Sequence, residues 1–119
     1  MGDFNDNPND PSVASFTQTN NYYPNYQALH NPMLVFHKKG MGSLAHRDQW
    51  YLFDQLLLSQ AWYNNNDFFF FKAAIFNPPW LYNPTGKFKG YPFRTQHHGN
   101  SLSGFSDHFR VFALFALQE

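Results

Sequence analysis

The stretch that decides the fold is Trp50 to Ser59, which reads Trp-Tyr-Leu-Phe-Asp-Gln-Leu-Leu-Leu-Ser. Its apolar residues are consecutive rather than alternate, which is typical of a central strand that is buried on both faces. A single carboxylate, Asp54, interrupts the run in its middle. The pattern therefore predicts a buried strand with one charged side chain that needs a partner.

Three other segments complete the predicted architecture. Phe68 to Phe76 is a second apolar segment and predicts a strand, and Val111 to Leu117 is a continuous apolar run that predicts a buried terminal strand. Asp10 and Pro11 favour the start of a short helix, with Asp10 as the N-cap and Pro11 at the first helical position. The sequence thus predicts a β-dominated fold of the α/β or α+β class.

Composition excludes several classes of function. The chain has 119 residues, with 8 basic and 8 acidic side chains, and its formal net charge is zero. No overall field attracts nucleic acid or an anionic membrane, so any phosphate recognition must be local. The absence of cysteine excludes a disulfide framework and a thiolate zinc site. No apolar run approaches the length of a transmembrane helix, and the sequence makes no prediction about cellular location.

Asp54 and the pair Asp107-His108 are the first candidates for chemistry. Asp54 either lies exposed at a strand end or accepts a hydrogen bond from a histidine and orients it. His108 comes just before the predicted terminal strand, where a loop side chain is held rigidly at the edge of a sheet. Taken alone, Asp107-His108 is typical of a solvated loop. Its occurrence together with Asp54 favours an Asp54–His108 pair.

Asp3 and Asn5 form a second candidate cluster. In an extended segment, residues two apart face the same side, so Asp3 and Asn5 are predicted to point together. Carboxylate and amide oxygens suit Mg²⁺ and phosphate chemistry. The alternative is a turn in which these side chains bond to their own backbone, which is equally common in such sequences.

Three motifs occur in a fixed order along the chain. They are Gly2-Asp3-Phe4-Asn5-Asp6 with a following Pro8, Asp54-Gln55 inside the apolar run, and Gly104-Phe105-Ser106-Asp107-His108-Phe109. In this order they resemble the C-terminal half of the endonuclease/exonuclease/phosphatase superfamily, which has the deoxyribonuclease I-like fold. The segment Lys89 to Thr95 resembles bacterial members. The resemblance implies part of a four-layer α/β/β/α sandwich, to which this chain contributes a β-rich half with one sheet and a short helix.

The resemblance also implies roles for individual residues in a metal-dependent phosphoesterase. Asp3 would position or deprotonate the attacking water, and Asn5 would hydrogen-bond the phosphoryl oxygens. Asp54 would orient His108, which would act on the scissile phosphate or its water. Phosphoryl transfer depends on positioning and on neutralising negative charge, which these groups can supply.

Substrate and metal contacts are implied in the same way. Arg94, together with Asn5, would contact the phosphate of the substrate. Asp107 and Asp3 would bind the divalent ion, Mg²⁺ or Mn²⁺. The substrate is expected to be a phosphate ester, since nucleic acid, phospholipid headgroups and inositol phosphates are all acted on by proteins with these motifs.

The metal-binding Glu of the family has no counterpart in this chain. In the family that Glu lies in the N-terminal half of the domain, whereas the only Glu here is Glu119. An apolar strand normally leads into the Gly-Asp-Phe-Asn motif, and only Met1 stands before it here. We therefore expect residues 1–119 to be the C-terminal portion of a single domain whose N-terminal half is absent, and to be inactive alone.

Two non-catalytic alternatives remain open at the level of sequence. In the first, the chain is a truncated remnant or an aromatic-rich binding module. In the second, it is a carbohydrate-binding module. Both depend on its aromatic residues, which make up 21% of the chain. Aromatic side chains can stack on sugars or bases, but they also pack well in β-rich cores. The adjacent His97 and His98 favour a loop over a metal site, because adjacent side chains on a strand diverge.

Overall fold

A computed structural model describes residues 1–17, 28–64, 67–97, 99–101 and 103–119. His98 and most of the segment 17–32, which the sequence suggests is irregular, lie outside the described residues. The described part is strand-rich with short helices, as expected for the α+β class. In chain order its elements are β1 (Gly2–Asp3), α1 (Pro11–Ala14), α2 (Leu34–Lys38), β2 (Leu44–His46), β3 (Gln49–Tyr51), β4 (Asp54–Gln55), α3 (Ala61–Asn64), β5 (Phe68–Phe76), a 3₁₀ turn (Pro79–Leu81), β6 (Gln96–His97), β7 (Asn100–Ser101) and β8 (Arg110–Leu117).

Strands β5 and β8 form the longest antiparallel pair and confirm two of the predicted strands. Their register runs from Phe68 opposite Leu117 to Phe76 opposite Arg110. The register shifts between Phe70 and Lys72, so that Phe71 is an extra residue without a partner on β8. Such a bulge bends the strand and turns its extra residue out of the ladder.

The hydrophobic core lies against one face of this pair. Residues of β5 meet the apolar residues that flank Asp54-Gln55 and the residue that follows His108. The backbone beside each of these polar residues is therefore fixed by close packing. The buried cluster consists of Met33, Leu52, Leu56, Ala73, Ile75 and Phe109.

The prediction that the terminal strand is buried is wrong. In β8, Leu114 is 43% exposed and Leu117 is 60% exposed. Among the described strands, β8 pairs only with β5, and a two-stranded sheet can bury one face while the other stays in solvent. A continuous apolar run identified the strand but not what covers it.

The prediction of one continuous strand from Trp50 to Ser59 is also wrong. The segment is divided between β3, β4 and an isolated bridge at Leu58. Strand β3 pairs with β2, β4 pairs with β1, and Leu58 pairs with His30. Because three different partners lie in different places, the segment must bend between them. Its apolar composition reflects burial rather than a straight strand.

The turn between β2 and β3 explains the first of these pairings. His46 lies opposite Gln49, so the loop contains only two residues, Arg47 and Asp48. Both have positive φ, 50° and 62°. Two consecutive left-handed residues match the right-handed twist of the flanking strands, which is why this turn joins short hairpins.

A single sheet is not what the structure contains. The described strands form four two-stranded sheets, β1–β4, β2–β3, β5–β8 and β6–β7. The predicted four-layer sandwich stays a prediction.

Helix α1 begins at Pro11, as predicted. Asp10 occupies the N-cap position, as predicted, but its carboxylate makes no capping hydrogen bond; its Oδ2 accepts a hydrogen bond from the Asn7 N–H at 2.6 Å. In the part of the chain that the structure describes, no helix is long and apolar enough to cross a bilayer.

Candidate active site

Asp54 and His108 are in direct contact. Asp54 Oδ2 lies 2.8 Å from His108 Nδ1, and the two side chains are 19% and 22% exposed. A carboxylate oxygen can only accept, so Nδ1 is the ring nitrogen that donates. The other nitrogen, Nε2, is then the one directed to further chemistry. The structure therefore contains the contact predicted from the sequence, with both side chains half-buried.

Asp54 has a second hydrogen-bond donor, Ser43. The Ser43 hydroxyl donates to the same oxygen, Oδ2, at 2.5 Å, and Ser43 is completely buried. Sequence reasoning missed Ser43, which lies in a glycine-containing turn 11 residues before Asp54. No pattern in the sequence distinguishes it from an ordinary turn serine.

The pairing of β1 with β4 places Asp3 beside Asp54. The two residues are directly opposite each other in the antiparallel register. Residues opposite each other point to the same face of the sheet, with Cβ atoms about 4.5–5.5 Å apart. Three of the predicted residues, Asp3, Asp54 and His108, thus come together. Two adjacent carboxylates create a local negative potential in a chain that is neutral as a whole.

Asn5 is not placed as the extended pattern predicted. Its backbone is left-handed, with φ of 54°, and its N–H donates to Asp3 Oδ1 at 2.9 Å. This is the turn named as the alternative, in which an Asp side chain bonds the backbone two residues later. The extended prediction for residues 3–5 is therefore wrong. The turn engages Oδ1 of Asp3 and leaves Oδ2 outside it.

The loop that carries Asp3 and Asn5 is anchored by buried amide groups. Gln55 is completely buried; its Nε2 donates to the Asp6 carbonyl at 2.5 Å, and its Oε1 accepts from Asn31 Nδ2 at 2.7 Å. Sequence reasoning quoted Gln55 only as part of a motif and missed Asn31. An amide side chain inside an apolar run was the available signal, because a buried polar group requires partners.

The loop that carries His108 is held by a close backbone approach. A Cβ added at Gly104 would lie 2.0 Å from the Phe93 carbonyl oxygen and 2.3 Å from that of Arg94. Only glycine fits this position. The Phe105 N–H donates to the same Phe93 carbonyl at 2.8 Å. Arg94 and the motif that contains Asp107 and His108 therefore belong to one cluster of loops.

The predicted metal ligands, Asp3 and Asp107, are both exposed. Their carboxylates are the type of ligand that Mg²⁺ and Mn²⁺ prefer. Among the described residues, however, no group of three or more His, Asp or Glu side chains could hold a metal ion. The two carboxylates thus have suitable chemistry but do not make a complete metal site.

Three other titratable groups have shifted pKa values. Burial lowers the pKa of His30 and raises the pKa of Tyr63, whose ring lies 5.0 Å from that of His30 in an edge-to-face contact. The hydroxyl of Tyr91 donates to Asp48 Oδ1 at 2.7 Å, and this hydrogen bond raises the pKa of Tyr91. None of the three is among the predicted site residues.

A cavity of about 450 Å³ lies between α2 and β5. Its walls are mostly apolar and include Val35, Phe36 and Phe70. None of the six predicted site residues lines it. The cavity and the Asp54–His108 pair are therefore separate features of the molecule.

Comparison with known proteins identifies a family. Neither a curated protein nor a solved structure matches the chain. The model of the Endonuclease/Exonuclease/phosphatase family matches residues 1–117, which is nearly the whole sequence. That range includes all three motifs and the strands that carry them. The chain therefore belongs to the endonuclease/exonuclease/phosphatase family.

Proposed function

We propose that this chain carries part of the active site of a metal-dependent phosphoesterase. The observation that supports the proposal most directly is the contact between Asp54 Oδ2 and His108 Nδ1. The contact joins two of the three motifs, and the β1–β4 pairing adds Asp3 from the remaining one. Membership of the family supports a phosphoesterase-type or nuclease-type domain.

His108 is the proposed proton-transfer group. Its Nδ1 donates to Asp54, so Nε2 is the nitrogen that would act on the reacting phosphate or the attacking water. An imidazole in this position can take a proton from water, and an imidazolium can donate to a phosphoryl or leaving-group oxygen. Asp54 holds the ring in the orientation and tautomer that this requires.

Asp3 and Asn5 are proposed to act on the water and the phosphate. As the water oxygen bonds to phosphorus and the ester P–O bond breaks, Asp3 Oδ2 would accept the water proton, and the leaving oxygen would take a proton from Nε2 of the His108 imidazolium. The amide of Asn5 would donate to a phosphoryl oxygen. Arg94 would add a positive charge to the same group, since its backbone lies beside the Gly104 loop.

Mg²⁺ or Mn²⁺ is the proposed cofactor, with Asp3 and Asp107 as carboxylate ligands. When bound, such an ion neutralises negative charge on the phosphoryl oxygens. Because the described residues form no complete site, we propose that at least one more ligand comes from further polypeptide of the same domain. Glu119 is the only Glu in the chain.

Because residues 1–119 are expected to be inactive alone, the proposal is tested on the domain completed by its further polypeptide, by hydrolysis of bis(p-nitrophenyl) phosphate at saturating Mg²⁺ or Mn²⁺. His108→Gln and Asp54→Asn are each expected to lower the rate by roughly 10²–10⁴-fold, the usual contribution of a positioned acid or base. His46→Gln is the matched control, because His46 is an exposed histidine in β2. The proposal is wrong if both site variants hydrolyse the ester as fast as the control does.

A non-catalytic binding module is the second candidate. The incomplete set of metal ligands favours it, as do exposed aromatic side chains such as Phe71 and Trp80. It predicts cooperative unfolding without metal-dependent hydrolysis. Calorimetric titration of the completed domain with Mg²⁺ separates the two candidates, since only the phosphoesterase requires saturable metal binding that Asp107→Asn weakens.

A further inference from the structure

Ser43 bonds both to Asp54 and to the residue that follows His108. Its hydroxyl donates to Asp54 Oδ2, the oxygen that also faces His108 Nδ1. Its carbonyl accepts the N–H of Phe109, the residue after His108, at 2.6 Å. A single buried residue thus bonds to the carboxylate through its side chain and to the histidine segment through its backbone.

The backbone of Ser43 has little freedom to move. Its N–H donates to the Tyr51 carbonyl at 2.9 Å. The preceding residue, Gly42, passes so close to Tyr51 that an added Cβ would lie 2.5 Å from the Tyr51 oxygen. Phe109 is itself 2% exposed and packs in the core. Packing and hydrogen bonds therefore determine where the Ser43 hydroxyl lies before any substrate binds.

The hydroxyl selects one orientation of the Asp54 carboxylate. A carboxylate held by a single hydrogen bond can exchange its two oxygens by rotation, whereas two donors to one oxygen oppose that rotation. Hydrogen bonds to an ionised group are about twice as strong as neutral ones. Losing the Ser43 donor would leave His108 Nδ1 as the remaining described side-chain donor to Asp54.

We infer that Ser43 is a positioning residue that fixes the Asp54 carboxylate against the His108 ring. The importance of Ser43 for hydrolysis rests on the function proposed above. Its effect on the position of the His108 ring is independent of that function. Ser43 acts through Asp54 and does not contact the substrate. A turn that belongs to none of the three motifs thus fixes the orientation of the Asp54 carboxylate and the His108 ring.

Imidazole proton NMR on the 119-residue chain tests the inference without any substrate. The Hδ1 proton of His108 is expected to exchange slowly with water, and it is assigned by its loss in His108→Gln. In Ser43→Ala its exchange is expected to be roughly tenfold faster, which is the scale of one lost hydrogen bond to a charged group. Ser43→Thr keeps the hydroxyl and is expected to keep slow exchange.

Ser12→Ala is the matched control. Ser12 also donates to a carboxylate, at 2.6 Å from Asp6 Oδ2, but that contact is exposed. The control is expected to leave the His108 signal unchanged. Equal exchange rates in Ser43→Ala, Ser12→Ala and the unsubstituted chain would overturn the inference.

The unsubstituted chain provides a check that does not depend on a variant folding. The Ser43 hydroxyl proton and His108 Hδ1 point to the same oxygen, so a nuclear Overhauser contact between them is expected. Its absence, with both protons observed, would also overturn the inference. If Ser43→Ala loosens the ring but His108→Gln hydrolyses normally, the proposed function fails and the positioning role stands. In an active enzyme, Ser43→Ala should lower kcat and leave KM unchanged.

Discussion

Two regions of this molecule use their side chains in contrasting ways. The polar corner comprises Asp3, Ser43, Asp54, Gln55 and His108, and it is held by directional hydrogen bonds of 2.5–2.9 Å. Within the described residues, no buried side-chain nitrogen or oxygen lacks a hydrogen-bond partner. Every buried polar side-chain atom of the polar corner is therefore held by a hydrogen bond.

The aromatic sheet comprises β5 and β8 and has a different character. Phe71 is 61% exposed and Leu117 is 60% exposed. Burial of apolar area is not directional and depends on the amount of surface covered. Because a hydrogen bond depends on individual atoms, loss of a single atom should disturb the polar corner. The outward-facing positions of the aromatic sheet should tolerate substitution, since they bury little area.

The largest effect is expected where the polar corner rests on the core. Phe109→Ala removes a ring that is 2% exposed and should lower the free energy of unfolding by about 3–5 kcal/mol. Phe71→Ala removes the same ring from an exposed position and should change it by less than about 0.5 kcal/mol. Urea unfolding measures both. Equal losses of unfolding free energy in Phe109→Ala and Phe71→Ala would mean that the two rings are buried to the same extent in solution.

An intermediate effect is expected at Gln55. Gln55→Met keeps the side-chain volume but leaves the Asn31 amide and the Asp6 carbonyl without their partner. The Asn31 contact is buried, whereas the Asp6 carbonyl is only partly buried, and one unpaired buried group costs about 1–3 kcal/mol. Amide exchange at Phe4, which donates to the Phe53 carbonyl, should report the loosening of the loop that carries Asp3.

Gln49→Met is the matched control for Gln55. Gln49 makes an exposed hydrogen bond with the Tyr51 hydroxyl, and its loss should change stability by less than about 0.5 kcal/mol. If Gln55→Met unfolds at the same urea concentration as the control, the buried amide does not anchor the loop.

The smallest effect is expected at His30, next to the aromatic ring of Tyr63. Burial lowers the pKa of His30 below its usual 6.5, so the unfolded chain binds this proton more readily than the folded one. The stability that the folded protein has with His30 neutral is therefore fully present above pH 6.5. It is lost as the pH falls from 6.5 through the lowered pKa of His30, because protonation favours the unfolded chain. Urea unfolding at pH 7.5 and 5.5 should show a smaller acid-induced loss in His30→Phe than in the unsubstituted chain.

His46→Phe is the control for the pH dependence, since His46 is exposed. It should keep the acid-induced loss of the unsubstituted chain. An identical loss in His30→Phe would show that His30 charges freely in the folded protein.

Parts of the site were predictable because the relevant signal is local. A lone carboxylate in an apolar run requires a partner, and a histidine just before a strand is held in place, so Asp54 and His108 could be paired from the sequence. Ser43 and Asn31 could not be found in this way. A serine or an asparagine in a turn is ordinary, so nothing in the sequence singles out either residue, although Ser43 lies only 11 residues from Asp54.

The sequence by itself determined that residues 68–76 and 111–117 form strands and that the chain carries the motifs of its family, because apolar runs and motif residues are local properties. Only the tertiary structure decided that residues 50–59 divide among three partners. It also decided that Asn5 enters a turn and that Ser43 meets Asp54. The pairings of residues 50–59 and the Ser43–Asp54 contact depend on which segments come together in the folded chain, because packing of the whole chain governs them. At Asn5 the local sequence allows both an extended segment and a turn, and the structure contains the turn.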